Sequence, residues 1–175
     1  MREVLEKIKT RRSIRKFKPD MVSKDEIDRI IEAGTYAATG GNRQTPIIVA
    51  VTNKEIRDKL SAVNAKIQGK EDGSDPFYGA PVVLIVLAEK SFPTYVYDGS
   101  LVMGNLMLAA HELGVGSCWI HRAKEEFEMP EWKEWLKSLG IQGDYEGIGH
   151  CVLGYVDGEY PKTVERKDNW VYYAE

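Results

Sequence analysis

Residues 98–120 read Asp98-Gly99-Ser100-Leu101-Val102-Met103-Gly104-Asn105-Leu106-Met107-Leu108-Ala109-Ala110-His111-Glu112-Leu113-Gly114-Val115-Gly116-Ser117-Cys118-Trp119-Ile120. Asp98 precedes a long apolar run as an N-cap would, so a helix is expected over residues 99–113, stopped by Gly114. Its polar residues are few (Ser100, Asn105, His111 and Glu112), which predicts burial on most faces. In so small a chain, such a helix suits a dimer interface. Residues 117–120 read as a short strand. Gly114-Val115-Gly116 looks like the start of a GxGxxG fingerprint, but Trp119 holds the last glycine place and the segment follows a helix. The fingerprint fails.

Working outward, Pro130 opens a helix with Trp132, Trp135, Leu136 and Leu139 at helical spacing, ended by Gly140. Residues 148–156 form a further strand. Upstream, the apolar runs 47–51 and 82–87 are inner strands. Ser23-Lys24-Asp25-Glu26 is a capping box that opens a helix with Ile27, Ile30 and Ile31 inward, running to about Ala38. Asn53 caps another helix, with the stripe Ile56, Leu60, Val63 and Ile67. Val4, Leu5 and Ile8 mark a short first helix. Residues 68–80 are polar and Gly-rich, a loop that suits a lid over a site. Helices and strands interleave without a βαβ rhythm, so an α+β fold around a mixed or antiparallel sheet is expected. The whole chain, 1–175, reads as one domain. Its aromatic tail, Trp170-Val171-Tyr172-Tyr173, fits an edge strand on a partner subunit.

The net charge of −3 argues against a general nucleic-acid binder. Cys118 and Cys151 lie in apolar runs without CxxC spacing, as reduced thiols of a cytoplasmic protein do. No secretory leader, membrane span, metal-ligand spacing or GxSxG elbow is visible. His111 and His150 fit satisfied core positions, whereas His121 follows a strand end, where sites form.

Two polar clusters break the acidic balance. Arg11-Arg12-Ser13-Ile14-Arg15-Lys16-Phe17 suits a phosphate-bearing ligand, because guanidinium groups fork two hydrogen bonds onto phosphate oxygens. Taken alone, it fits a solvated basic turn equally well. Thr39-Gly40-Gly41-Asn42-Arg43-Gln44 is a second run without acids. An anion pocket without acid–base or nucleophile apparatus points to chemistry carried by a bound cofactor.

These residues resemble the nitroreductase family of FMN-dependent NAD(P)H oxidoreductases, in its compact form. Residues 11–17 are similar to the family's R-[RH]-S-x-R-x-F signature, and Tyr36 to Gln44 to its N-x-Q segment. Phe77-Tyr78-Gly79-Ala80-Pro81 resembles its strand entry, and residues 98–120 its central helix and flavin-facing strand.

The resemblance implies a central, mostly antiparallel sheet flanked by helices, in an intertwined homodimer with two FMN sites between subunits. It implies that Arg11 and Arg166 hold the phosphate, with Lys167 as alternative to Arg166. Arg12, Ser13 and Arg15 would meet the phosphate, ribityl chain or ring edge, Arg15 stabilising the reduced flavin. Thr39, Asn42 and Gln44 would contact the flavin, some from the opposite subunit. Asn64 would reach its pyrimidine side, and Trp119, Ile120 and His121 would pass behind the ring. NADH or NADPH would reduce the flavin, and a nitroaromatic, quinone or similar electrophile would reoxidise it, in ping-pong order. A flavin sensor or storage protein is the alternative. Thr45-Pro46, Ala38 and His121-Arg122 depart from the usual pattern and bear on the choice of substrate.

Overall fold

The protein is described from a computed structural model over residues 3–174. Its centre is a four-stranded antiparallel sheet in the order β1-β2-β4-β3. The strands are β1 (Pro46–Val51), β2 (Val82–Glu89), β3 (Gly116–Ile120) and β4 (Tyr145–Gly154). The apolar run of β2 is continuous because both its faces are covered. Val83, Ile85 and Leu87 enter one core, and Val82, Leu84, Val86 and Ala88 enter the other. The first core packs under α3 (Lys54–Ile67), α5 (Ala123–Glu128) and α6 (Pro130–Ser138). The second packs under α2 (Lys24–Thr35) and α4 (Tyr95–Glu112).

The capping box is realised in full: the Ser23 side chain accepts from the Glu26 N–H, and Glu26 reaches back to the Ser23 backbone. Asn53 caps α3 through its bond from the Ile56 N–H at 3.0 Å. α2 ends at Thr35, short of the expected Ala38. There the Tyr36 and Ala37 N–H groups take the tighter i−3 carbonyls of Ala33 and Gly34. Gly34 lets α2 approach α4 closely, since a Cβ there would stand 2.6 Å from Leu106 Cδ2.

The expected cap at Asp98 is corrected. α4 begins at Tyr95, and Asp98 lies inside it, 3% exposed, accepting from the Gly40 N–H and the Thr94 hydroxyl, each at 3.0 Å. β4 begins at Tyr145, earlier than residue 148, and continues opposite β2 through a register shift at Val86/Leu87. α5 was not expected at all. It has no side-chain cap, and Arg122 enters it from the left-handed region, φ +77°. On its inner side Glu126 faces His150 of β4 at 2.7 Å, both fully buried, without hydrogen-bond alignment.

α1 (Glu3–Thr10) buries none of its residues. Beyond Asp157 the chain up to residue 174 has no strand, and its aromatic residues are exposed.

Half of loop 68–80 is pinned. The Asp75 carboxylate accepts from Arg57 Nη2 at 2.6 Å and from the Phe77 and Gly79 N–H groups, and the Ser61 hydroxyl also donates to it. Burial opposes ionisation of Asp75, but the bonds from Arg57, Ser61 and Gly79 outweigh it and hold its pKa below the usual range. Gly69 and Gly73, both at positive φ, stand in open space in the other half.

Candidate functional site

Residues 11–17 leave α1 and run along the free edge of β3. Ile14 (2% exposed) and Phe17 (9%) plug into the core, and the Ile14 N–H donates to the Ser117 carbonyl at 2.9 Å. Ser13 pairs with Ser117 in a parallel bridge. This anchoring brings Arg11, Ser13 and Arg15 around Cys118. Burial pushes that thiol's pKa up, while the Arg15 charge, a Ser13 hydrogen bond and the Arg11 charge work against the rise. Arg11 Nη1 is buried and has no hydrogen-bond partner among the described residues. A desolvated guanidinium N–H without an acceptor is costly, and it suits an anionic oxygen arriving from outside.

Arg12 behaves differently from its neighbours. Its Nη1 donates to the Lys9 and Arg11 carbonyls, each at 2.7 Å, its Nε to the Lys162 carbonyl at 3.3 Å, and its Nη2 to Thr163 Oγ1 at 2.6 Å. Its guanidinium is committed within the protein.

The second cluster stands at the other end of α4. Residues Gly40–Asn42 form a 3-10 turn, with Gly41, Asn42 and Gln44 at φ of 57°, 54° and 52°. Positive φ at two non-glycine residues is costly backbone of the kind found at binding sites. Two contacts hold it: the Gly40 N–H on Asp98, and Thr39 Oγ1, which accepts from the Gln44 N–H at 3.1 Å. A Cβ on Gly40 would fall 2.1 Å from Thr94 Oγ1. The side chains of Asn42 and Gln44 are exposed, and Gln44 Nε2 donates to Asn42 Oδ1 at 3.2 Å.

The two clusters are far apart. Asp98 marks one and His111 the other, because the Thr10 hydroxyl lies 2.9 Å from His111 Nε2. The helix between Asp98 and His111 is about 20 Å long. A single chain thus brings Arg11, Ser13 and Arg15 together but leaves Thr39, Asn42 and Gln44 at the opposite end.

The remaining expected residues gather at the exit of β3. The Trp119 indole lies over Gly149, where a Cβ would stand 2.3 Å from Nε1. Ile120 is buried and His121 exposed. Asn64 is fully buried; its Nδ2 donates to the His121 carbonyl at 2.8 Å, and its Oδ1 accepts from Gln68 at 2.7 Å. Both of its ends are engaged, and it fixes the turn after β3. Arg166 lies in the exposed tail, and the Lys167 ammonium stands over the Trp170 ring at 5.2 Å. Two contributors to this geometry escaped the sequence reading: Tyr160, in a charged stretch without pattern, whose Oη accepts from the Arg12 N–H, and Asp98 as an acceptor for the 39–44 segment.

An antiparallel sheet between two helical layers, with an arginine limb along one edge, defines an α+β protein with a buried guanidinium donor open to an acceptor. A sequence model of the nitroreductase family matches residues 8–157, and the chain belongs to that family. A relative in Methanothermobacter thermautotrophicus, provisionally named an NADH dehydrogenase/NAD(P)H nitroreductase, is 34% identical over 67% of this chain and 60% of its own length. A relative of the same name in Archaeoglobus fulgidus is 30% identical over 91% of this chain and 88% of its own. A nitroreductase from Bacteroides fragilis, crystallised with FMN, superposes with a TM-score of 0.88 at 30% identity over 100% of both chains. Another from Desulfitobacterium hafniense, also with FMN, gives 0.86 at 28% identity over 99% of this chain and 100% of its own.

Proposed function

We propose that the protein is a homodimeric, FMN-dependent oxidoreductase that takes electrons from NADH or NADPH and passes them to a small electrophile such as a nitroaromatic or quinone, in ping-pong order. The observation that carries this reading is the unpartnered, buried Nη1 of Arg11 beside Ser13 and Arg15, in a chain similar to two solved nitroreductases that hold FMN. When bound, the flavin would supply the redox chemistry, accepting a hydride from the nicotinamide and releasing electrons to the second substrate.

The chain's own residues bind and tune. Arg11 would take the phosphate oxygens, joined by Arg166 from the tail. Ser13 would donate to the ribityl side, and Arg15 would place a fixed positive charge where the reduced ring gathers negative charge, which favours reduction. Trp119 and Ile120 would wall off one face, with the turn after them held by Asn64. Thr39, Asn42 and Gln44 would contact the flavin from the second chain, since about 20 Å of helix separates them from Arg11 of their own.

A second copy also accounts for the uncovered apolar surface. Val4, Leu5 and Ile8 of α1, Tyr97 and Leu101 of α4, and Trp170 to Tyr173 are each more than half exposed. β1 has an open edge for the tail to join. The described residues include no helix long and apolar enough to cross a membrane.

The test is the visible spectrum of FMN-soaked, desalted protein, then anaerobic addition of NADH and NADPH. Flavin bands that survive desalting and bleach on addition are expected. Bands that persist without bleaching mean a flavin sensor or storage protein, and loss of the bands on desalting rejects the cofactor.

A further inference from the structure

His111, Tyr160 and Arg12 form a closed hydrogen-bond relay whose directions can be read from both ends. The Thr10 hydroxyl is 2.7 Å from the Glu6 carbonyl, a pure acceptor, so it donates there. It can then only accept from His111, which puts the proton on Nε2. On the other side the Arg12 N–H donates to Tyr160 Oη at 3.0 Å. The tyrosine's own hydrogen is then free for His111 Nδ1, at 3.1 Å. The Thr10 end thus fixes a proton on Nε2, and the Tyr160 end matches a neutral imidazole whose Nδ1 accepts. The rings of His111 and Tyr160 also stack, with centroids 5.7 Å apart. Two residues further on, the Arg12 guanidinium grips the Lys162 carbonyl and the Thr163 hydroxyl.

We infer that His111 and Tyr160, with Arg12, are positioning residues: together they clasp the start of the tail to the arginine limb and thereby set Arg11 and Arg166 for a phosphate. Arg12 holds the tail in this arrangement and leaves the anion to Arg11. Arg166 follows Thr163 by three residues, so the clasp keeps its Cα within about 11 Å of the Thr163 Cα, the residue that the Arg12 guanidinium grips. Burial, then the charges of Lys7 and Arg11, lower the pKa of His111 and favour the neutral form that the relay requires. The inference rests on Arg11 as the phosphate anchor, yet half of it can be tested without flavin.

The experiment compares Tyr160→Phe, His111→Phe and His111→Gln with the wild type. In FMN-free protein, amide exchange at Arg12 and tryptic cleavage in the tail report the clasp itself. Nitrogen-15 shifts of His111 report its tautomer. FMN titration reports the site. Tyr160→Phe and His111→Phe should each speed Arg12 exchange and tail cleavage, and weaken FMN binding about tenfold, the loss of one or two hydrogen bonds. His111→Gln keeps one donor and one acceptor and should recover most of both. Unchanged exchange and cleavage in the FMN-free phenylalanine variants, or a His111 protonated on Nδ1, would overturn the clasp. Faster cleavage with unaltered FMN affinity would overturn its positioning role. A wild type that binds no FMN would instead reject the cofactor reading, leaving the exchange data to judge the clasp.

Discussion

The two ends of α4 carry two different kinds of polar cluster. At the C-terminal end, side chains dominate: His111, Tyr160 and Arg12 saturate one another, and Arg11 is left with a buried donor and no acceptor. At the N-terminal end, the backbone dominates. Asp98 and Thr39 fix a strained turn through main-chain N–H groups, and the side chains of Asn42 and Gln44 stand outside it. The first end offers a charged donor and the second offers neutral polar groups, and the length of α4 keeps them apart within one chain. In the proposed dimer, a second chain brings them together.

The largest expected effect is at the arginine end. Arg11→Ala should weaken FMN binding about a hundredfold, as loss of a charged hydrogen bond and its phosphate attraction implies. Unchanged affinity in an FMN titration would take Arg11 out of the site. At the other end, Gly40→Val pushes a branched side chain into Thr94 and should destabilise the fold by about 1–3 kcal/mol in urea unfolding. A stability equal to wild type would mean that the turn is loosely held. Asp98→Ala leaves the Gly40 N–H without its acceptor, a cost of about 1–3 kcal/mol, and should also weaken FMN binding by loosening residues 39–44. Stability loss without any change in FMN affinity would separate that segment from the site.

The smallest effect serves as a control away from both ends. The Asp75 carboxylate is held below its usual pKa, so the stability it contributes is present above the unfolded value of about 3.9. It is lost as pH falls through the lower, folded value. Acid unfolding of Asp75→Asn should therefore be shallower over that range, with FMN affinity at neutral pH unchanged. An affinity change would bring loop 68–80 into the site.

Much of the fold was legible because local and tertiary demands agree. β2 reads as an apolar run since both faces are buried, and Ser23 and Asn53 cap because their contacts lie within one helical turn. Asp98 misled because an acid ahead of an apolar run is a cap signal, while its true partner, the Gly40 amide, lies 58 residues away in the chain. α5 escaped because it spans only 6 residues and starts from a left-handed arginine. The two clusters of the site were visible as composition. Their separation was not, since it follows from the length of α4 and from which end each segment packs on. The inward turn of Arg12 depends on acceptors in the tail that no local pattern announces.

The most direct test of a site built from two chains is complementation. An Arg11→Ala chain and an Asn42→Ala, Gln44→Ala chain would be coexpressed, and FMN retained after desalting would be measured against each variant alone. In the hybrid dimer one site carries all the substitutions and the other carries none. Random pairing makes about half the dimers hybrid, so about one quarter of all sites should retain FMN where each variant alone retains little. Retention no better than that of the separate variants, beside a wild type that holds FMN, would contradict the account.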